Sequence, residues 1–448
     1  MATTETSAAV APFEAIPTVR LVEHHERELP RWLASMALEH GPIFRVIWNP
    51  HHAWHPIYLV GPEANKFVLH TGREHFSHDL GWTPLVGEIL GHGLLNMDGP
   101  EHDRHRKLLN PAFTVAYMTR YLPVMNRVIA ERTREWAARD EIDLLEETRK
   151  ITFDVAAETL VGLHTGAEVD QLRELFYALL YSPDFDPATM TWDAYHHERQ
   201  LPVRDRLANL LLRLVAERRR RPTDDTLGLM VAARDEEGRA LSDEQLLAHV
   251  NILLVAGHET STTMSAWLLY LLAVHPAYRA RVHEELARLL GTSDQPIGLD
   301  AIKAMRVLQN ALSEAGRLYP PVGNAPRGVV SDFVFGGYHV PAGVRVRYSI
   351  AAGHWLPTIF RDPGTFDPDR FAPPREEDKQ HPYALVPFGG GQRICIGVNF
   401  AQVEIKALAA HVLRHYTIEP IPGQDIVHLY DPTMAAPWQG IRVVVGKR

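Results

Sequence analysis

The chain has 448 residues, of which 46% are hydrophobic, and a formal net charge of −9 at pH 7. This hydrophobic fraction can bury a substantial core, whereas the net negative charge disfavours nucleic acid as a partner. No apolar run reaches the roughly 18 residues that a membrane-spanning helix needs, and a single cysteine, Cys395, excludes an intrachain disulfide and a cysteine-rich zinc or iron–sulfur site.

The chain is predicted to form one large unit. Residues 1–20 begin with an Ala- and Thr-rich stretch without a basic region, so no signal peptide is predicted and the segment is expected to be disordered. No Gly/Ser-rich spacer, charge block or repeat period divides the remainder. Residues 21–448 are therefore expected to fold as a single domain in the cytoplasm, without a membrane anchor.

Helical patterns dominate the chain, and strand patterns are few. Helices are predicted at residues 120–139, 143–163, 203–221, 242–275, 276–290 and 300–318. Strands are predicted at residues 43–48 and 57–60 as a hairpin, at 333–338 around a Gly-Gly turn, and at 344–348. The predicted fold class is mainly α with a small β-rich lobe.

The longest predicted helix contains a polar insert near its middle. Ser242 and Gln245 form an S-x-x-Q capping box at its start, and the apolar spacing continues to about His275. The insert is the hexapeptide A-G-H-E-T-S at residues 256–261, whose glycine costs about 1 kcal/mol in a helix interior. A small residue and a loosened turn here would make room for a flat cofactor and a diatomic ligand.

Two neighbouring side chains of the insert, Glu259 and Thr260, suit proton transfer. The Thr260 hydroxyl can bond back to the carbonyl of Ala256 and open the helix locally, and an acid beside an alcohol can relay protons from water. Successive residues of a helix point about 100° apart, so no acid–base role is predicted for the adjacent His258. A buried helix with a polar satellite is an alternative interpretation of these residues alone.

Cys395 lies in a glycine-rich run, F-G-G-G-Q-R-I-C-I-G, at residues 388–397. Glycines can turn N–H groups toward a negative sulfur, and the helical pattern that follows would place a favourable helix N-terminus near it. Phe388 is placed to shield the sulfur, and Arg393 can pair with an acidic group on a cofactor rim. A lone cysteine is usually a small buried hydrophobe, but this run favours a single thiolate ligand to a haem iron.

This run resembles the haem-ligand signature of the cytochrome P-450 superfamily, F-x-x-G-x-R-x-C-x-G. The signature is matched at Phe388, Gly391, Arg393, Cys395 and Gly397. Many soluble bacterial members have histidine in place of Arg393, and the arginine form is more similar to the membrane-type and eukaryote-like branches. The resemblance extends from about residue 40 to the end and implies the cytochrome P-450 fold, with the haem between the long central helix and the cysteine loop.

The polar insert is similar to the oxygen-activating motif of that family, which implies catalytic roles for Thr260 as the alcohol and Glu259 as its acid. The resemblance also implies a set of haem contacts, in which Cys395 is the axial ligand of the iron and the basic residues bind the propionates. These cofactor-binding residues are His102, Arg106, Ala256, Arg327, Phe388, Arg393, Cys395 and Gly397.

Other segments have structural or binding roles in the family that the chain resembles. Glu314 and Arg317, with Arg370 of a P-D-R-F element, would form a structural network. The basic run at residues 104–107 borders either an electron-donor docking face or a solvated helix face. Substrate contacts are implied for a loop at 77–93, for 175–191, which includes a helix-breaking stretch at 182–187 suited to a mobile lid, for the turn near residue 256, and for 322–325.

The resemblance implies a monomeric haem-thiolate monooxygenase with haem b. Its substrate would be a lipophilic small molecule such as a fatty acid, a terpenoid or a retinoid-like compound. Electrons for dioxygen activation would come from NAD(P)H through a ferredoxin- or flavodoxin-type donor and its reductase, since no such domain is fused here. Two alternatives are a peroxide-driven peroxygenase on the same haem and a non-catalytic haem-binding sensor or carrier of lipophiles.

Overall fold

A computed structural model of the chain describes residues 10–21, 27–48, 55–164, 166–180, 185–186, 191–192, 196–291, 295–430 and 434–448. The α-helices are α1 (Leu29–His40), α2 (Pro62–Lys66), α3 (Asp79–Leu90), α4 (Gly99–Leu109), α5 (Val115–Thr133), α6 (Leu144–Val161), α7 (Ala167–Leu180), α8 (His196–Arg220), α9 (Thr226–Ala232), α10 (Asp243–Val274), α11 (Pro276–Leu290), α12 (Leu299–Ala304), α13 (Arg306–Leu318), α14 (Ile350–Gly353) and α15 (Val398–His415). The strands are β1 (Thr18–Arg20), β2 (Ile43–Ile47), β3 (Ile57–Val60), β4 (Phe76–Ser77), β5 (Ile142–Asp143), β6 (Phe185–Asp186), β7 (Thr191–Trp192), β8 (Asn324–Val329), β9 (Phe333–Phe335), β10 (Tyr338–Val340), β11 (Arg345–Ser349), β12 (Tyr416–Pro420), β13 (Leu429–Tyr430), β14 (Ala435–Ala436) and β15 (Arg442–Lys447).

A six-stranded mixed sheet forms the β-rich lobe, in the order β1-β2-β3-β11-β8-β4. Strands β2 and β3 pair antiparallel with Ile43 opposite Leu59, which confirms the predicted hairpin. The Gly-Gly turn between β9 and β10 is also confirmed. Strand β8 runs antiparallel to β11 with Arg327 opposite Val346, so the sheet fixes the position of this predicted haem contact.

The expected disorder of residues 1–20 is wrong for residues 10–20. Strand β1 pairs parallel with β2, with Thr18 opposite Arg45, and the amide of Ala11 donates to the carbonyl of Gly337 at 2.9 Å. Ile16 is buried, because this short segment covers an apolar edge of the sheet that is far away in sequence. Residues 1–9 lie outside the described part of the chain.

Helix α10 is the axis around which the helical part of the molecule packs. It runs without interruption through the polar insert, so the local opening expected there is absent. The predicted capping box is confirmed, since the Ser242 hydroxyl and the Gln245 side chain each bond to the backbone of the other residue. Buried apolar residues of α10 form one core with α5, α6, α13 and α15, and a second core lies between the large sheet and α3.

Two predicted elements differ in the structure because of distant contacts. The helix predicted at 300–318 is divided into α12 and α13 at Met305, where the carboxylate of Glu285 accepts the amides of Val307 and Leu308 at 2.8 and 3.0 Å. The loop predicted at 77–93 is largely helix α3, whose buried Trp82, Val86 and Leu90 recur at helical spacing despite an internal proline. Among the described helices, none combines the length and apolar character needed to span a bilayer.

Candidate active site

The cysteine loop is a tight turn closed by backbone contacts. The amide of Cys395 donates to the carbonyl of Phe388 at 2.8 Å. Gly391 has φ +61°, and a Cβ at this position would lie 2.4 Å from the carbonyl oxygen of Leu69. A side chain at this position would therefore clash with the helical turn after α2 as well as strain the backbone. The signature glycine fixes the path of the chain that presents the sulfur.

Cys395 lies on an exposed part of the loop close to the start of α15, although protein atoms crowd around its sulfur. Burial raises the pKa of this thiol, whereas the amide of Gly397 and the nearby Arg106 lower it. Arg106 is held in place by a bond from its Nη1 to the carbonyl of Ile394 at 2.7 Å. Because burial is the largest effect, the thiolate would need a further positive charge at the sulfur, which a metal ion supplies.

The four predicted propionate-binding residues meet near the loop between α3 and α4. His102 and Arg327 are buried. Arg393 donates to the carbonyl of Met97 at 2.5 Å and lies 3.2 Å from Asp98 Oδ1. Arg106 completes the group, since its charge acts on both His102 and Arg393. The structure therefore brings together side chains from α4, β8 and the cysteine loop.

This basic cluster carries more positive than negative charge. Burial and the neighbouring Arg327 lower the pKa of Arg393 to about 10, although Asp98 acts in the opposite direction. Burial, Arg327, Arg393 and His102 hold the pKa of His78 well below its usual range. A dianion at this place would relieve the mutual repulsion of the cations. His78 was not predicted, because only the folded chain brings it to the cluster.

The middle of α10 has an accessible turn between two buried stretches of the helix. Thr260 donates from Oγ1 to the carbonyl of Ala256 at 2.7 Å, as predicted. Ala256 is exposed and Thr260 is partly exposed, whereas the adjoining His258, Glu259 and Ser261 are buried. A small side chain and a hydroxyl therefore face an open cleft, on the side of the helix that the neighbouring elements do not cover.

Glu259 occupies the side of α10 that packs against α6. Its Oε1 lies 3.1 Å from Nε of Arg149 and 2.9 Å from Nε2 of His258. The expectation that His258 and Glu259 point apart is wrong, because the imidazole is long enough to reach back to the carboxylate. Glu259 and Thr260 are neighbours in sequence but lie on different faces of the helix. The carboxylate, which contacts two basic side chains, is therefore on the buried face, and the Thr260 hydroxyl is on the accessible face.

A second acid near this turn was missed by the sequence analysis. Glu404 of α15 is completely buried, and burial raises the pKa of its carboxyl from 4.5 to about 8, with a smaller opposite effect of the Ser261 hydroxyl. The carboxyl is therefore mainly neutral at pH 7. Glu404 lies between Val403 and Ile405 in the helix after Cys395, and nothing local in the sequence indicated that its side chain is buried.

The network predicted for Glu314, Arg317 and Arg370 is present and completely buried. Arg317 Nε lies 2.7 Å from one carboxylate oxygen of Glu314, and Arg370 Nε lies 3.0 Å from the other. Helix α13 also approaches the cysteine loop, since a Cβ at Gly316 would be 3.7 Å from Pro387 Cβ. The network therefore stabilises α13, the helix that packs against the cysteine loop.

The segments predicted to contact substrate have mixed outcomes. Trp82, Val86 and Leu90 are buried in the core between α3 and the sheet, whereas Leu85 and Val322 are only partly buried. The predicted lid at 182–187 lies outside the described residues, apart from the two residues of β6.

The basic run at 104–107 is not a simple solvated face. Arg104 pairs with Asp235 at 2.6 Å, and His105 is buried against His249 at 2.7 Å. Arg106 points to the cysteine loop. Of the four side chains only Lys107 is largely exposed.

Comparison with protein families identifies the family to which the chain belongs. The cytochrome P450 family model matches residues 12–441. The chain belongs to the cytochrome P450 family. It is therefore a haem monooxygenase, and the predicted family, fold class and enzyme class are confirmed.

Several P450 relatives extend over most of the chain. A sterol 14alpha-demethylase of Mycolicibacterium vanbaalenii is 30% identical over 373 residues, covering 81% of this chain and 81% of that protein. The structure of cyanobacterial CYP120A1 with retinoic acid bound is 30% identical, with a TM-score of 0.81 over 92% of this chain and 93% of that one. The cytochrome P450DA heme domain shares the fold at 23% identity, with a TM-score of 0.83 over 98% of this chain and 99% of that one.

The residues of this P450 fit a haem. Cys395 offers a soft sulfur whose ionised form needs a cation, and the basic cluster needs a dianion such as two propionates. The exposed turn at Ala256 and Thr260 leaves space in the middle of α10, where Leu254 and Ser261 on either side are buried. The donor set and the charge both match iron protoporphyrin.

Proposed function

We propose that this P450 inserts one oxygen atom of dioxygen into a lipophilic small molecule. Its electrons would originate in NAD(P)H and arrive through a separate ferredoxin- or flavodoxin-type protein. The observation that carries this proposal is the Thr260 hydroxyl on the accessible middle turn of α10, with the buried acid Glu259 behind it. The haem, when bound, supplies dioxygen activation at its iron.

The protein residues would have distinct tasks in this reaction. Cys395 would hold the iron, and His102, Arg106, Arg327 and Arg393 would hold the propionates as charge-assisted hydrogen-bond donors. Thr260 already donates its proton to the Ala256 carbonyl, so its oxygen is available to accept a hydrogen bond from a water molecule in the cleft. Such a water molecule would be held where a proton is required.

A buried acid supports proton supply to this turn. Glu259 lies one residue from Thr260 and is anchored by Arg149 on α6. A positioned acid of this kind contributes roughly 10²-fold or more to a proton-transfer step.

The substrate class is proposed as lipophilic, with retinoid-like compounds as the first candidates. The support is the relative of 30% identity whose structure contains retinoic acid, together with the apolar side chains of Leu85 and Val322 that are only partly buried. Titration of the ferric holoenzyme with retinoids, fatty acids and terpenoids would report binding as a shift of the haem spin state. Absence of a shift with every apolar class would contradict this assignment.

The role of Thr260 is tested by Thr260→Ala, with Thr260→Ser as the matched control. In the alanine variant we expect the fraction of NAD(P)H electrons recovered in product to fall on the order of tenfold, with hydrogen peroxide released instead, because the water-holding hydroxyl is lost. The serine variant keeps the hydroxyl and should remain mostly coupled. Full coupling in Thr260→Ala would remove the proposed role.

The same assay separates the two alternatives. A peroxygenase would form product with peroxide alone at the rate of the reductase-driven reaction, and a carrier would bind lipophiles without NAD(P)H consumption. Both outcomes would contradict the monooxygenase proposal in its dioxygen-dependent form. Cell fractionation would test the predicted cytoplasmic location separately.

A further inference from the structure

We infer that His258 and Glu259 hold one extra proton between them, and that His258 reloads Glu259 with this proton before each delivery toward Thr260. The inference rests on the proposed function of Glu259 in proton delivery. It makes His258 a positioning and proton-storage residue, which touches the acid rather than the reacting atoms.

The first proton of the His258 ring is fixed by a backbone contact. Nδ1 lies 2.6 Å from the carbonyl oxygen of Leu254, one turn earlier in α10. A carbonyl oxygen only accepts hydrogen bonds, so Nδ1 must carry the proton. In the neutral ring, Nε2 would then present a lone pair.

That lone pair cannot face the neighbouring carboxylate without a proton. Nε2 lies 2.9 Å from Oε1 of Glu259, and both side chains are buried. The angle is too bent for a directed hydrogen bond, so the contact is an ion pair by distance. A lone pair and an ionised carboxylate at this distance repel each other strongly away from water. A second proton on the ring, or one on the acid, removes the repulsion.

Aromatic packing keeps the imidazole in this place. The rings of Phe153, Phe176 and Tyr177 surround that of His258, with centroid separations of 5.1, 5.6 and 5.9 Å. The side chain of His258 is completely buried, so rotation toward water would require these rings to move. The proton between His258 and Glu259 is therefore enclosed.

The charged neighbours come from α6 and α7 as well as from α10. Arg149 of α6 pairs with Glu259 and also with Glu146. On α7, Arg173 and Tyr177 face the same group, and burial holds the pKa of the tyrosine above its usual range, so the phenol stays neutral. Glu259 thus has a guanidinium that only anchors it, since arginine does not give up its proton, and an imidazole that can.

The proton balance of the reloading step is simple. Between deliveries the ring is protonated at both nitrogens and Glu259 is a carboxylate. The proton moves from Nε2 to Oε1, which leaves the neutral ring with Nδ1 still bonded to Leu254, and Glu259 then gives this proton toward Thr260. A proton from water returns to the pair, and no electron or further reactant is involved.

The protonation state is tested in the holoenzyme independently of turnover. Protein labelled with ¹⁵N at histidine, studied in the diamagnetic ferrous carbon monoxide form, should show both ring nitrogens of His258 protonated at pH 7, or else a carboxylic acid C=O band in the infrared spectrum that Glu259→Gln removes. Because Glu404 also contributes a carboxylic acid band, only the difference between the wild type and Glu259→Gln is assigned to Glu259. A wild-type protein with a bare Nε2 and no band that is lost in Glu259→Gln would overturn the inference.

The reloading role is tested by His258→Gln, with His249→Gln as the control. His249 is also a buried histidine of α10, but its partner is His105 rather than an acid. We expect product yield per NAD(P)H to fall several-fold only in His258→Gln, provided that both variants retain haem. Unchanged coupling in His258→Gln would overturn the reloading role, whereas the Thr260 variants decide the proposed function by themselves.

Discussion

Some charged residues of this P450 lie deep in its interior, and Glu314 is one of them. Glu314 is completely buried between two buried guanidinium groups. Such a carboxylate stabilises the fold mainly because its removal would leave buried Arg317 without its carboxylate partner and Arg370 with Glu377 alone. The residue is therefore a structural requirement for the helix that supports the cysteine loop.

Glu314→Gln is expected to lower the free energy of unfolding by about 3–5 kcal/mol, the usual cost of breaking a buried ion pair. Asp369→Asn is the control, since Asp369 pairs with Arg281 at 2.7 Å where both side chains are nearly half exposed. That change should cost about 1 kcal/mol or less. Urea unfolding of both variants makes the comparison, and equal losses would contradict the special role of Glu314.

Glu404 should make the stability of the protein depend on pH. The pKa of its carboxyl is raised from 4.5 to about 8, so the folded state keeps a proton that the unfolded state releases. Stability should then fall as pH rises from about 4.5 to about 8 and level off above it, by a few kcal/mol at roughly 1.4 kcal/mol per pKa unit.

Glu404→Gln removes this titration and should flatten the pH profile of urea unfolding above about pH 5. Glu419→Gln, which changes an exposed carboxylate of β12, is the control and should leave the slope as it is. A wild-type profile without the decline, or one that Glu404→Gln leaves unchanged, would show that the buried carboxyl does not stay protonated.

Local spacing explains which site residues were predictable. The Thr260 bond to Ala256 and the pairing of Glu314 with Arg317 follow from helical neighbours four and three residues apart. The contact between His258 and Glu259 was missed, because the spacing rule describes Cβ directions and not the reach of an imidazole ring. Glu404 was missed because the residue that approaches it, Ser261, is far away in sequence.

The conformation of the cysteine loop depends on the backbone at a single position, Gly391. Gly391→Ala should reduce both haem retention and the free energy of unfolding, the latter by more than the 1–2 kcal/mol that a left-handed residue costs alone, because its Cβ would collide with the Leu69 carbonyl. Haem content and urea unfolding are the measurements.

Gly423→Ala is the matched control for this substitution. Its φ of +77° is also left-handed, but nothing lies within 4 Å of the added carbon. This variant should therefore lose unfolding free energy only through backbone strain, and it should retain haem. If both variants behaved alike, the close approach of Leu69 would not be what shapes the loop.

Elements were predictable from sequence where their own pattern was strong. Helix α10 and the hairpin of β2 and β3 were predicted with nearly the observed bounds. Strand β1 exists only because β2 accepts it, and the break between α12 and α13 depends on Glu285 of α11. In α3, an internal proline and two glycines concealed an apolar face that the large sheet covers.

The whole molecule joins a helical part and a β-rich lobe around the cysteine loop and the exposed turn of α10. The mainly α class was predictable from composition and periodicity, and the fold from the resemblance carried by the motif around Cys395. The strand order of the six-stranded sheet was not predictable, since β3 pairs with β11 across nearly 290 residues of sequence, from Ile57 to Val346. Such pairings depend on the packing of the complete chain.

The central claim is that Cys395 holds the haem iron as a thiolate, and the carbon monoxide difference spectrum of the dithionite-reduced protein tests it most directly. We predict a strongly red-shifted Soret band for the wild type and its loss in Cys395→His, with haem retained, because histidine cannot supply the thiolate charge. A wild-type band of the histidine-ligated kind, or an unchanged band in Cys395→His, would contradict the assignment.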